Sequence, residues 1–399
     1  MIAAIPAEAR LLIAGRGIRA FVDGFIAILL PVYLIALGYD TLQVGVLSTA
    51  TLLGSALMTL AVGRWGHRFP QRGLLLGAAV LMTTTGLAFA GLWDFVPLLA
   101  VAFVGTLNPS SGDVSVFLPI EHARLAHASR GTARTALFAT YSLAGALFAS
   151  LGSLAAAVPE FAARAGIPLL TAIRGMFLLY ALAGVVIWLL YQKLPKDAGA
   201  PREAAPGLVQ SRRIVGRLAL LFSVDAFAGG LLVQSLMTLW LFERFALSLA
   251  TAASFFFWAG LLTAFSQLAA PRVAARIGLL NTMVFTHIPS SIALICAAVA
   301  PRVDVALGLL LVRAALSQMD VPTRSAYVMA LVSPRERTAA ASYTAVPRSL
   351  ASSLSPSIGG AMFAAGWLAA PLVACGVLKI AYDLTLLAMF RKVPVEERE

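Results

Sequence analysis

Long apolar stretches, each interrupted by a short gap of Gly, Pro or charged residues, repeat from one end of this chain to the other. Read by apolar length and by those breaks, they lie near residues 11–37, 41–63, 73–92, 95–120, 132–158, 168–193, 213–243, 248–270, 279–300, 303–332, 339–364 and 367–391. These runs match the roughly 20 residues that a helix needs to cross the hydrocarbon core. They lack the alternation of apolar and polar positions that marks a membrane barrel strand, and a helix satisfies its own backbone in lipid. The pattern predicts an all-α membrane protein with twelve transmembrane helices.

The gaps between runs differ in charge. Alternate gaps hold Arg64, His67, Arg68 and Arg72, then Arg124, Arg130 and Arg134, then Lys193, Lys196, Arg202, Arg212 and Arg213. In the second half they hold Arg272 with Arg276, then Arg335 with Arg337, whereas the opposite gaps are nearly neutral. The positive-inside rule places both termini in the cytoplasm, in a multi-pass protein of a bacterial-type inner membrane. Residues 194–213 (LPKDAGAPREAAPGLVQSRR) form the one long polar stretch, rich in Pro, Gly and charge. Residues 1–193 are thus expected as an N-terminal six-helix bundle, 194–212 as a cytoplasmic linker and 213–399 as a C-terminal six-helix bundle.

Composition agrees with lipid as the solvent. Apolar residues make up 60% of the 399 and charged residues 12%, with mean hydropathy +0.88, too little polar surface for a soluble domain. The formal charge of +12 would suit nucleic acid if the basic residues formed a face with interleaved aromatics; they are scattered among the gaps instead. Residues 1–10 have no basic region or cleavage site of a secretory signal, so the run from Leu11 reads as the first span. Cys296 and Cys375 each sit inside an apolar run and read as small packing residues. No phosphate-binding Gly-Lys loop, H-E-x-x-H or G-x-S-x-G stands in the chain. An enzyme or an ATP-driven pump is not expected, no cofactor is implied, and the energy for transport must come from a gradient.

The halves echo each other at an offset near 200 residues. Phe21-Val22-Asp23-Gly24-Phe25 corresponds to Ser223-Val224-Asp225-Ala226-Phe227, and Arg134-Thr135-Ala136 corresponds to Arg337-Thr338-Ala339. Internal repetition of this kind is how alternating-access transporters are built, here as two pseudo-symmetric bundles.

Gly63-Arg64-Trp65-Gly66-His67-Arg68-Phe69-Pro70-Gln71-Arg72 after the second run resembles the G-x-L-A-D-R-x-G-R-R signature of the major facilitator superfamily. His67 stands at the Asp position and Pro70 at the second Gly. Ala274-Ala275-Arg276-Ile277-Gly278 after the eighth run keeps the Arg and Gly and also lacks the Asp. Ser355-Pro356-Ser357-Ile358-Gly359-Gly360 resembles the G-P-x-x-G-G antiporter motif but lies in the eleventh run, not the fifth. The resemblance covers essentially the whole chain. It implies a secondary transporter whose cavity is lined by spans 1, 4, 7 and 10, and whose cytoplasmic loops latch helices together.

Within that frame the charged residues of the runs are the candidates, because an ionisable group at mid-membrane costs at least about 2.5–3.5 kcal/mol and so faces a partner or an aqueous path. Asp23 and Asp225 lie mid-run at equivalent positions, and a carboxylate in an apolar setting is suited to exchanging protons or binding a cationic group. Arg19, four residues before Asp23, falls on the same helix face, and Asp320–Arg324 and Lys379–Asp383 share that spacing. Each such pair is either a static ion pair or one that substrate or proton breaks; the last, in a peripheral span, reads as structural. Arg313, Gln318, Asp320 and Arg324 make the tenth run the densest polar stretch. Asp113 and Glu121, two turns apart, form a proton relay or pair with Arg124 and Arg130. Arg68, Arg72, Glu121, Arg276 and Arg348 are expected around the cytoplasmic gate. His287, beside Pro289, reads as a satisfied core histidine, with no metal spacing around it.

These residues support three transport functions. Proton-coupled efflux by antiport of a metabolite or drug rests on the equivalent carboxylates. Organic-anion transport rests on Arg19, Arg313, Arg324 and Arg348. A divalent-metal exporter would use Asp23 and Asp225 as hard oxygen ligands, and a non-transporting receptor is a fourth, different class. The partners expected are a small-molecule substrate, protons and the bilayer, with no nucleic acid, for a monomer.

Overall fold

The computed structural model describes residues 5–110, 115–128, 132–196, 211–333 and 336–392. Among them the regular structure is helical, with no strand. The helices are α1 (Ala7–Ala36), α2 (Thr41–Trp65), α3 (Gln71–Gly91), α4 (Phe95–Val104), α5 (Phe117–Ala128), α6 (Thr132–Ala155), α7 (Val158–Arg164) and α8 (Leu169–Tyr191). They continue as α9 (Arg212–Gly230), α10 (Gln234–Phe245), α11 (Leu249–Ile277), α12 (Leu279–Val299), α13 (Val303–Ser317), α14 (Asp320–Leu331), α15 (Arg337–Ala364) and α16 (Ala370–Phe390). Ten segments are long and apolar enough to cross a membrane. The fourth run lacks such a segment because it breaks after ten residues of α4. The 28-residue α15 is long enough but carries Arg348 and many serines.

Local signals in the sequence set the helix ends. Asp40 caps α2 through a reciprocal box: its Oδ1 accepts from Gln43 N at 2.7 Å, and its own N–H donates to Gln43 Oε1 at 2.9 Å. Gly278, at φ +84°, turns the chain between α11 and α12 in a conformation that favours glycine. Along α8 the inward stripe Ile173, Phe177, Tyr180, Gly184, Ile187 and Tyr191 is buried. Leu178, Leu182, Val185 and Leu189, on the opposite face, stay exposed, as acyl chains require.

The chain divides into two compact units: Met1–Arg202 with Gln234–Phe257, and Glu203–Val233 with Trp258–Glu399. In the first, α1 packs most extensively on α6 and α3 on α8; in the second, α9 packs on α15 and α12 on α16. Lipid offers no hydrophobic drive between helices, so close backbone approach supplies the attraction. Gly24 meets the Ala149 carbonyl and Gly152 meets the Phe21 carbonyl, where α1 and α6 cross in backbone contact. The buried Tyr33 hydroxyl donates to the carbonyls of Phe89 (2.7 Å) and Leu92 (3.0 Å), which ties α1 to the end of α3.

Three of the runs are interrupted. The fourth breaks between Val104 and Phe117, the seventh between Gly230 and Gln234, and the tenth at Gln318–Met319. Asn108-Pro109 explains the first, since proline offers no N–H and its ring clashes with a preceding helical turn. The Tyr180 hydroxyl bonds the Thr106 carbonyl at 2.9 Å, and the Ser235 N–H donates to the Pro109 carbonyl at 3.0 Å. Asn108 Oδ1 accepts from Ser110 N and Oγ at 3.1 and 2.7 Å.

Replacing Gly152 by Leu forces a side chain into the Phe21 backbone. It should cost at least about 1–3 kcal/mol and lower the unfolding midpoint in detergent, whereas Leu at Gly175, which has open space around it, should leave the midpoint unchanged.

Candidate functional site

In the first unit the charged residues of α1 meet three other helices. Arg19 Nη2 pairs with Glu121 Oε2 at 2.7 Å, and Nη1 pairs with Oε1 of the same carboxylate, a bidentate fork. The Tyr141 and Tyr191 hydroxyls donate to the two Glu121 oxygens, and Tyr191 Oη also accepts from Arg19 Nη1 at 2.9 Å. Phe117 lies under the guanidinium, 4.2 Å from its ring centre to the Arg19 carbon. Glu121 is fully buried and Arg19 nearly so. A buried charge pair is tolerable only when its remaining hydrogen-bonding positions are also met, and the two tyrosines do this.

The cage corrects the pairing expected from sequence. Arg19 and Asp23 share a helix face, yet the bidentate partner of Arg19 is Glu121 on α5. Asp23 is buried, within electrostatic reach of Arg16 and Arg19, and no hydrogen bond or ion pair among the described residues engages its carboxylate. Glu121 lies inside this cage and does not pair with Arg124. Arg124 reaches Glu8 at 2.5 Å and the Pro195 carbonyl at 2.9 Å.

The second unit gathers its charges from four helices. Asp225 of α9 receives Lys379 Nζ of α16 at Oδ1 (2.6 Å) and Arg324 Nη1 of α14 at Oδ2 (3.0 Å). Arg324 Nη2 holds Asp320 Oδ2 at 2.9 Å, so that i,i+4 pair does form. The Lys379–Asp383 pair expected from the same spacing does not. Asp383, fully buried, faces His287 Nδ1 of α12 at 3.0 and 3.2 Å. The other ring nitrogen, Nε2, lies 3.4 Å from Lys379 Nζ and 3.8 Å from Asp225 Oδ1.

The remaining candidates are dispersed. Arg348 on α15 is exposed; it lies within electrostatic reach of Arg324, Asp225, Asp320 and Tyr382, and no hydrogen bond or ion pair among the described residues engages it. Arg313 and Gln318 are half-buried on and just after α13. Arg72 donates to the Gln192 carbonyl at 2.5 Å, while Arg68 and Arg276 are exposed. Asp113 lies outside the described residues.

Comparison with known proteins decides the family. The Major Facilitator Superfamily profile matches residues 12–317, well over half of the chain. The chain belongs to the major facilitator superfamily. A Saccharomyces cerevisiae protein, uncharacterized membrane protein YJR124C, is 25% identical over 420 residues, covering 96% of this chain and 94% of that one. Among solved structures, a bacterial homolog of the human lysosomal transporter Spinster superposes with TM-score 0.74 at 16% identity, covering 98% of each chain. The nucleoside transporter NupG gives 0.73 at 12% identity, covering 97% of this chain and all of its own. The human organic anion transporter MFSD10 gives 0.65 at 16%, covering 96% and 100%. This superfamily member is a multi-pass membrane transporter and not an enzyme.

Sequence reasoning misses Tyr141, Tyr191, Lys379, Asp383 and His287 as parts of these networks. The available signal was polar tips in otherwise apolar runs, since a buried tyrosine hydroxyl needs a partner. Replacing Glu121 by Ala leaves the Arg19 charge uncompensated and should cost about 3–5 kcal/mol, read as a large fall in the unfolding midpoint in detergent. The double variant Arg19→Met with Glu121→Ala should recover part of that loss.

Proposed function

We propose that this transporter carries a small organic anion across the membrane by alternating access, with Arg348 as its anchor. The observation that carries the reading is the uncommitted guanidinium of Arg348, exposed beside a network in which Asp225 and Asp320 are already held by Lys379 and Arg324. Arg313 adds a second cation whose guanidinium has no partner among the described residues. Counting Asp225, Asp320 and Asp383 against Arg324, Lys379, Arg313 and Arg348 gives three acidic side chains against four basic ones. In a low-dielectric interior that excess favours an anionic guest. Gln318 lies beside this face as a neutral hydrogen-bonding group.

The wider frame rests on the run pattern: twelve spans in two six-helix bundles, 1–193 and 213–399, joined by the 194–212 linker. The ten long apolar segments, the short α4 and the 28-residue α15 support that count. Arg- and Lys-rich alternate gaps support cytoplasmic termini in a bacterial-type inner membrane, with Arg68, Arg72 and Arg276 near the cytoplasmic gate.

A second reading, proton-coupled efflux by antiport of a metabolite or drug, rests on Asp23. Among the described residues it is the buried acid without a committed partner, and one carboxylate that holds either a proton or a solute exchanges the two. The divalent-metal reading is weaker, because Asp225 is neutralised by two cations and is a poor ligand.

Thermal stabilisation of the purified transporter separates these readings. Succinate, benzoate or inorganic phosphate should raise the midpoint, and Arg348→Gln should weaken that binding about tenfold or more, the loss of one charge-assisted contact. Stabilisation by tetraphenylphosphonium alone, or an anion affinity untouched by Arg348→Gln, defeats the anion reading. For the antiport reading, Asp23→Asn in proteoliposomes should abolish flux driven by a pH gradient while sparing solute counterflow; unchanged pH-driven flux removes it.

A further inference from the structure

The first unit carries its charges unequally at its two ends. At one end α1 starts, α2 finishes, α3 starts and α8 finishes, and arginines tie these tips together. Arg72 Nη2 of α3 donates to the Gln192 carbonyl just past α8 at 2.5 Å. Arg124 of α5 pairs through Nε with Glu8 of α1 at 2.5 Å, and its Nη2 donates to the Pro195 carbonyl at 2.9 Å. With Glu8 neutralised by Arg124, the exposed charges left at this end are Arg10, Arg64, Arg68, Lys193 and Lys196, all basic. No hydrogen bond or ion pair among the described residues engages the charged tips of these five. The opposite end holds Asp40, Asp94, Glu160 and Glu243 against Arg164 and Arg244. There the Ala250 N–H donates to Glu160 Oε2 at 2.7 Å and brings in the α10–α11 turn.

The basic end also presents aromatic surface. Trp65 closes α2, Gly66–Arg68 make a single 3-10 turn, and Phe69 follows in extended conformation before α3 begins. Trp65 is 51% exposed and Phe69 58%, on the connection that carries Arg64 and Arg68. The Arg72 contact with Gln192 sets Lys193, the next residue, beside this connection. Bulk water would solvate the cations well and the two rings badly. The boundary between acyl chains and headgroups suits both, because aromatic rings settle at headgroup level while arginine stems lie on apolar surface with their charged heads among phosphates. A soluble polyanion would meet the charges and leave the rings in water.

We propose that the α2–α3 connection and the end of α8 form a docking surface for an anionic phospholipid. Arg64, Arg68 and Lys193 hold its phosphate through charge-assisted hydrogen bonds, and Trp65 and Phe69 cover its glycerol and upper acyl chains. The lipid bridges the first turn of α3 and the exit of α8, alongside the Arg72 contact. This surface stands apart from the solute readings given above and needs neither Arg348 nor Asp23.

The test is native mass spectrometry of the full chain in detergent, with phosphatidylglycerol and phosphatidylcholine of identical acyl chains at equal concentration. The wild type should retain phosphatidylglycerol over phosphatidylcholine by about fivefold or more, the increment of even one basic group at an anionic lipid surface. The triple variant Arg64→Gln, Arg68→Gln, Lys193→Gln should bring that ratio close to one. A control that removes three exposed charges of the second unit, Arg272→Gln, Arg276→Gln and Arg391→Gln, should keep it. Trp65→Ala with Phe69→Ala should lower retention of both lipids, and Arg348→Gln should leave the ratio as in wild type.

Equal retention of the two lipids by the wild type overturns the proposal without requiring any variant to fold. A preference that survives the triple variant, or that the control removes equally, overturns the assignment to this surface. Displacement of phosphatidylglycerol by millimolar glycerol phosphate also overturns it, because a free anion then accounts for the binding without the rings.

Discussion

A carboxylate or guanidinium taken into the bilayer loses its water, and most such groups here are met by partners from other helices. The Arg19–Glu121 fork with Tyr141 and Tyr191 joins α1 to α5, α6 and α8. The bonds at Asp225 and Asp383 join α9, α12, α14 and α16. Because each charge is satisfied only when several helices are in place, the polar networks select one arrangement among the many that apolar surfaces alone would tolerate. Small residues at the crossings, such as Gly24 and Gly152, let those helices come close enough for the bonds to form.

The same demand distinguishes charges that hold structure from charges free to act. Glu121 has a bidentate arginine and two hydroxyls, so exchanging its proton or partner would dismantle the cage. Asp23, one turn from Arg19, has no such commitment, nor has Arg348 beside the Asp225 network. Transport needs groups whose best partner changes through the cycle, and a residue already saturated by its own protein offers little difference between empty and loaded states. His287 is held at both ends: Nδ1 faces Asp383 at 3.0 Å, and Nε2 lies 3.4 Å from Lys379 Nζ.

Interrupted helices extend this logic to the backbone. Where the fourth run leaves helical geometry after Val104, ahead of Asn108-Pro109, the freed carbonyls of Thr106 and Pro109 are taken by Tyr180 and by the first turn of α10. In the tenth run the break falls at Gln318–Met319, between the helix that carries Arg313 and the one that presents Asp320 and Arg324. Irregular backbone at membrane depth survives only when protein or an aqueous cavity satisfies it.

Much of the fold was legible in the chain because lipid imposes a simple rule on composition. Apolar length marked the helices, Gly, Pro and charge marked their ends, and the Gly63–Arg72 loop carried the family resemblance. The sequence also pointed to Asp23, Asp225, Arg19 and the Asp320–Arg324 turn, since ionisable residues stand out in apolar runs. It did not reveal who pairs with whom. Helical spacing suggested Arg19 with Asp23 and Lys379 with Asp383, because i,i+4 neighbours are the contacts that spacing can predict. The tertiary structure chose Glu121 for Arg19, Asp225 for Lys379 and His287 for Asp383, partners at least 92 residues from one another in every charged or histidine contact of that set. Sequence separation carries no information about which helix faces meet; only packing brings an acid on one helix to a cation on another, and so decides which charges are committed and which stay free.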